Sequence, residues 1–366
     1  MKLLKFNVNF LLISFLLLAG CATDMPQTSK RYVWPQAPDE PKIEWLKSYY
    51  SQYDFPVSGF DLFVQTLFGQ DPEINFERPV DIKSNGKGLV YVTDIVKGSI
   101  HVFDFVNYKV NVWSKGNDPE RDLLITPYYI ALDRDNNLYV VGMGDKKIFI
   151  LDKNGIVIRK IDFEQYVKSP GGIVLDSQNS RIYLVDMTES KVAVFDISGK
   201  HLFSFGKFGD KDGEMNRPTS ITINHKGEII VGDTMNARIQ IFNSEGKFLR
   251  KLGQRGDGAA DFQILKGVAV DSDDNIYVTD GKANQIKIFN TNGQFLMSFG
   301  TAYSVTHSLR EAPGGFLLPQ GINIDETNTI YVVDLANVRF QVFKYLGSET
   351  RKEILPGTTF KPAPRQ

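Results

Sequence analysis

Four histidines, several aspartate-rich turns and one cysteine carry most of the reactive chemistry in this sequence. His101, His201, His225 and His307 could offer imidazoles to a zinc ion, which needs several such ligands converging tetrahedrally. Their local contexts are unrelated: an alternating apolar run, a strand-like segment, a polar turn and a loop, respectively. They read as scattered surface histidines, and no zinc site is expected. Asp271-Ser272-Asp273-Asp274-Asn275 imitates the opening of a calcium loop, but Ile276 replaces the turn glycine and Lys282 the closing glutamate. The stretch Asp133–Asn137 fails in the same way. Both are predicted to be turns, where Asp and Asn bond their own backbone. The lone Cys21 can make neither an intramolecular disulfide nor a thiolate cage. With 42 Lys and Arg against 43 Asp and Glu, the chain lacks the basic excess of a nucleic-acid binder.

The elements that position these residues come from an internal repeat. From Pro79 onward one pattern recurs six times: a proline or substitute, a short apolar run, a polar turn, a strand ending in Asp, a second turn and another strand. The first landmark falls at Pro79, Pro127, Pro170, Pro218, Leu265 and Pro319, and the second at Asp94, Gly142, Asp186, Asp233, Asp280 and Asp334. The two lie 15 residues apart in every copy but the third, where they are 16 apart, while copies are spaced by 43 to 54. A constant internal distance with variable intervals describes a unit of fixed geometry joined by variable loops. Alternating Val, Ile, Tyr and Phe between Gly/Asn/Asp turns predicts four short antiparallel strands per unit.

The fourth copy shows the pattern most clearly, with Arg217-Pro218, Ile229-Ile230-Val231-Gly232-Asp233, Asn236-Ala237-Arg238-Ile239-Gln240-Ile241-Phe242 and Gly253. It resembles the NHL repeat, and the resemblance covers residues 77 to 346. No Trp-Asp pair recurs, which disfavours WD40, and paired glycines do not recur as in kelch. The resemblance implies an all-β fold: a six-bladed β-propeller of four-stranded antiparallel blades. The sixth copy lacks an outer strand, and residues 42–49 match its rhythm, so this N-terminal strand is expected to close the last blade. NHL-like propellers include metal-dependent lyases and lactonase-like enzymes, but no matching ligand set is found here. The second-strand aspartates are expected to cap the following turn. Lys147, Lys191, Arg238 and Arg339, which precede the third strands, are given a structural role too, with some attraction of one rim for anions.

Departures from the repeat mark the candidate site. The two positions after each landmark proline open the innermost strands and so ring the mouth of the central shaft. Most are small, but Asp81, Tyr128, Tyr129, Lys266 and Gln320 project there and are the candidate ligand- or partner-binding residues. Small residues that merely relieve crowding at the axis are the competing explanation. Two long connections add His307 and Arg310, between copies five and six, and Phe63 and Phe68, in a helix-spaced apolar cluster with Phe60, Leu62, Val64 and Leu67. That helix is expected to pack its apolar side on the propeller, with a docking patch as the alternative.

The N-terminus fixes a location. Lys2 and Lys5 precede an apolar run from Phe6 to Leu18 that is too short for a confident membrane span. Leu18-Ala19-Gly20-Cys21 resembles the lipobox of bacterial lipoproteins, implying cleavage before Cys21 and lipidation of that residue. Ala22 in place of aspartate favours the outer membrane, facing the periplasm. The expected organisation is a signal over 1–20, lipidated Cys21 and a proline-rich tether over 21–41, the propeller over 42–346, and a polar tail over 347–366. The expected function is non-catalytic binding of a protein or other envelope partner by the loop face, without cofactor, metal or nucleic acid. A metal-dependent lyase or lactonase-like enzyme, and a small-molecule or glycan sensor, are the alternatives. The oligomeric state is not read from the sequence.

Overall fold

The computed structural model describes residues 31–114, 126–305 and 312–347. Six antiparallel sheets follow one another along the chain, each running from an innermost to an outermost strand. The innermost strands are Pro79–Ser84, Pro127–Leu132, Pro170–Asp176, Ser220–Ile223, Leu265–Val270 and Pro319–Ile324. In blades one to five the next three strands complete the sheet in chain order. Blade six obtains its fourth strand, Ile43–Tyr49, from the N-terminal region, paired antiparallel to Arg339–Tyr345. The architecture is therefore a six-bladed β-propeller closed by an N-terminal strand.

Each blade buries alternating apolar residues on both faces, and the neighbouring blades cover them. Six apolar clusters lie between consecutive blades, and the last joins blade six to blade one through Tyr331, Val333 and Phe340 against Ile82, Val92 and Phe103. No blade has a complete core alone, so cohesion depends on closing the ring. The closing strand is held by side chains as well as by its ladder. Trp45 Nε1 donates to Gln341 Oε1 at 3.1 Å, and Arg339 donates to Ser48 Oγ at 3.1 Å. A fifth strand, Tyr32–Trp34, lies outside it, with Trp34 against Phe299 and Phe343 at ring separations of 5.8 and 6.0 Å. The spacer read to Pro41 thus joins the sheet from Tyr32, because Trp34 has apolar surface to cover.

The landmark aspartates organise the loops at one face. Asp94, Asp186, Asp233, Asp280 and Asp334 are completely buried. Asp186 accepts from the amides of Lys168 and Ser169, just before its blade begins, and from Thr188 and Glu189 in the following turn. Asp94 repeats this with Glu77, Arg78, Val96 and Lys97. The expected turn cap is present, but each carboxylate also reaches back and ties the incoming chain to the same point. In blades four and six an arginine joins the clamp: Arg238 Nε to Asp233 and Arg339 Nε to Asp334, both 2.8 Å. Those two guanidiniums also donate to loop carbonyls and are buried, so they do not form a rim for anions. Gly142 holds this place in blade two.

Replacing Asp186 by Ala leaves four backbone amides without their acceptor. The expected cost is about 3 to 5 kcal/mol, read from the denaturant midpoint. Asp212→Ala, which removes only an exposed pair with Lys251, should change stability by no more than about 0.5 kcal/mol.

Candidate functional site

The mouth of the shaft is built from a repeated irregularity. In blades one, two, three, five and six, the ladder between the first two strands skips the two residues after the landmark position. These bulges release Val80 and Asp81, Tyr128 and Tyr129, Gly171 and Gly172, Lys266 and Gly267, and Gln320 and Gly321 from regular pairing. A bulge re-aims side chains at a sheet edge, and here it turns them toward the axis. Crowding explains the glycines: a Cβ on Gly267 would come within 2.6 Å of the Gln320 carbonyl, and one on Gly321 within 2.7 Å of the Val80 carbonyl. The larger side chains occupy what space remains.

The structure brings Asp81, Tyr128, Tyr129, Lys266 and Gln320 around one cavity of about 250 Å³. Thr219, one of the ring positions, also lines it, as do Arg217 and Met187, which the sequence reading had not assigned. Their signal was weak, since Arg217 precedes a landmark proline and Met187 follows a landmark aspartate. Also unforeseen are two buried threonines that knit the ring. Thr93 Oγ1 accepts from the Asp81 amide at 3.0 Å and donates to the Tyr128 carbonyl at 2.9 Å. Thr279 does the same between Gly267 and Gln320, at 2.7 Å on each side. The available signal was a threonine immediately before the landmark aspartate in copies one and five.

Asp81 is a wall residue rather than a projecting one. Its Oδ1 accepts from the Ile82 amide at 2.9 Å and its Oδ2 from the Ile130 amide at 3.0 Å, so it staples blade one to blade two. Burial raises its carboxyl above the usual range, against the opposing pull of Lys83 and the two amides. Tyr128 and Tyr129 contact each other at 4.7 Å between ring centroids. Burial pushes both phenols up, Tyr129 well above the ordinary value with help from Tyr128 and Asp81, so both remain protonated donors at neutral pH. Burial lowers the Lys266 amine, with no carboxylate beside it to counteract the shift.

The other assigned residues lie elsewhere. Helix Gly59–Phe68 forms in the connection from the closing strand to blade one, capped by Ser58 Oγ, which accepts from the Asp61 amide at 3.1 Å. Its flanks bond each other, Gln52 Nε2 donating to the Pro72 carbonyl at 2.8 Å, and Phe55 before it packs on Tyr49 and Phe105 at ring separations of 5.6 and 5.2 Å. The expectation that its apolar side packs on the propeller is overturned: Leu62 and Leu67 are exposed, Phe63 is 60% exposed and Phe68 83%. Cys21, His307 and Arg310 lie outside the described residues. Among the described residues, no group of three or more His, Cys, Asp or Glu side chains could hold a metal ion. Asp271 is engaged by Asp273, Asn275 and Tyr277, as a turn residue should be.

His201 stacks on Tyr166 and His225 pairs with Asp274, but His101 is buried, not at the surface. In blades four, five and six the equivalent positions hold Gln240, Lys287 and Gln341, which bond loop carbonyls. His101 instead lies against Phe76 at 4.8 Å, and neither ring nitrogen has a partner.

Comparison with known proteins agrees with this architecture. A family model described as "6-bladed beta-propeller" matches residues 211–297, which span blade four and most of blade five. No curated protein matches the sequence. An auxiliary nutrient binding protein from Bacteroides thetaiotaomicron is similar in structure, with TM-score 0.57, 15% identity, and 74% of this chain and 69% of that one covered. Virginiamycin B lyase from Staphylococcus aureus is similar with TM-score 0.52 and 15% identity, covering 76% of this chain and 85% of the lyase. Such identities show a shared fold.

Burial holds His101 at a pKa of about 4, with Lys97 adding to the effect and Asp94 opposing it. The native state keeps it neutral, whereas the unfolded chain takes up a proton near pH 6.5. Its contribution is therefore present above pH 6.5 and lost as pH falls toward 4, by on the order of 3 kcal/mol. His101→Phe, copying Phe149 of blade two, should remove that share of the acid loss in denaturation measured from pH 7 to 4.

Proposed function

We propose that this chain is a lipid-anchored, NHL-type propeller of the bacterial cell envelope that binds a protein or other envelope partner, without catalysis, through its loop face. The observation that carries this reading is the helix Gly59–Phe68. A propeller so completely covered between its blades leaves Leu62, Phe63, Leu67 and Phe68 in solvent on one short helix. Apolar groups concentrated in this way lower their free energy when a partner covers them, at about 25 cal/mol per Å² buried.

The chemistry of the mouth supports binding over turnover. Its one carboxylate, Asp81, is committed to two backbone amides, and its phenols are held away from ionisation. His101, His201 and His225 belong to blades one, three and four, and none lines this cavity. The anchor rests on Leu18-Ala19-Gly20-Cys21 and the uniqueness of that cysteine, and the outer-membrane location on Ala22. The NHL assignment rests on the repeat quoted from blade four.

A photo-crosslinker at Phe68 in intact cells should capture one defined partner. Phe63→Asp with Phe68→Asp should abolish capture while leaving the melting temperature unchanged. Capture that persists in the double variant would remove the docking role. Metabolic labelling with a palmitate analogue should mark the wild type and fail with Cys21→Ser.

A further inference from the structure

The two ends of the shaft carry opposite charge. The cavity on the far face, about 510 Å³, is lined by Lys83 and Arg134 against Asp176, Asp271, Asp325 and Glu326. Among the described residues, the mouth cavity is lined by Lys83, Arg217 and Lys266 against Asp81 alone. Among the described residues the linings of the two cavities are therefore opposite in net charge, although the whole chain is close to neutral. A shaft arranged in this way draws anions to the mouth and repels them from the far end.

The hydrogen-bonding capacity of the mouth points the same way. Among the described residues, the Lys266 amine, the Arg217 guanidinium and the hydroxyls of Tyr128 and Tyr129 face this cavity without a side-chain or backbone acceptor. The one carboxylate in the lining has both oxygens occupied by amides of Ile82 and Ile130. The cavity thus offers a surplus of donors, two of them cationic, and a ligand must bring the acceptors. Between these donors the wall has apolar surface from the tyrosine rings, Met187, Ile173 and Val268, beside the polar Thr219, Ser220 and Gln320. Inorganic anions would leave that surface uncovered, whereas an organic body would cover it. A volume of about 250 Å³ is small beside the roughly 300–1,000 Å³ of pockets for drug-sized ligands, which limits the body to about one ring.

We propose that the mouth cavity is a binding site for a small organic carboxylate, whose acid group is received by Arg217, Lys266 and the tyrosine hydroxyls and whose apolar part lies against Tyr128, Tyr129 and Met187. This site goes beyond docking by the exposed helix and stands whether or not that docking occurs. Lys266 gives the cavity its selectivity. A half-buried ammonium without a counter-charge gains most from an anion, and no other group near it provides one.

Benzoate and its uncharged isostere benzamide test the site, using ligand-observed NMR and calorimetry on the whole chain. Benzoate should bind about tenfold or more tightly than benzamide. Lys266→Gln and Arg217→Gln should each remove most of that preference and leave weak benzamide binding as it was. Arg217 is exposed at the rim, so its variant retains the fold even where Lys266→Gln disturbs it. Phe63→Asp with Phe68→Asp should leave benzoate binding intact, which separates this site from the docking helix. Failure of benzoate to bind, equal affinity for the two probes, or benzoate binding unchanged in both charge variants would overturn the proposal.

Discussion

A carboxylate buried at the end of the second strand is the interaction on which this propeller depends. Five such groups each gather amides or side-chain donors from the loop that enters the blade and the turn that follows. Buried charge is costly unless it is fully hydrogen-bonded, and these are. Because one oxygen pair holds both segments, the start of the first strand is fixed relative to the end of the second. In blades one, three, five and six the bulge that follows is therefore held in place, while blade two keeps its bulge with Gly142 at this point.

Closure is the second constraint. Blade faces are apolar on both sides, so an open ring would leave one cluster uncovered. Ile43–Tyr49 prevents this by completing the sixth sheet, and Arg339 binds that strand to the clamp of Asp334 through Ser48 and Tyr50. The chain that leaves this closing strand then forms the helix with exposed phenylalanines before it enters blade one. The exposed helix and the strand that closes the ring are thus one continuous stretch of chain.

The mouth shows where structural and binding roles part. Gly267 and Gly321 are small because backbone approaches them, and Asp81 is a staple between blades. The side chains of Tyr128, Lys266 and Arg217 have no such task, and they give the mouth lining its donors and its positive charge. Among five positions read alike from the sequence, only contact geometry distinguishes the staple from the free donors.

Much of this was legible in the residues. Strand number, blade count, the closing role of residues 42–49 and the ring of mouth positions all follow from a repeat whose spacing reflects fixed local geometry. Periodicity reports on interactions that recur, and the landmark aspartates recur. What it cannot report is how a unique side chain meets a neighbour distant in sequence. Whether Phe63 and Phe68 are covered, whether His101 is buried, and whether the oxygens of Asp81 are occupied depend on blades 20 to 300 residues away along the chain. The sequence by itself determined the ring, because each blade repeats the same local bonds. Only the tertiary structure decided which groups at its mouth remain available, because packing between blades consumes some donors and acceptors and leaves others open.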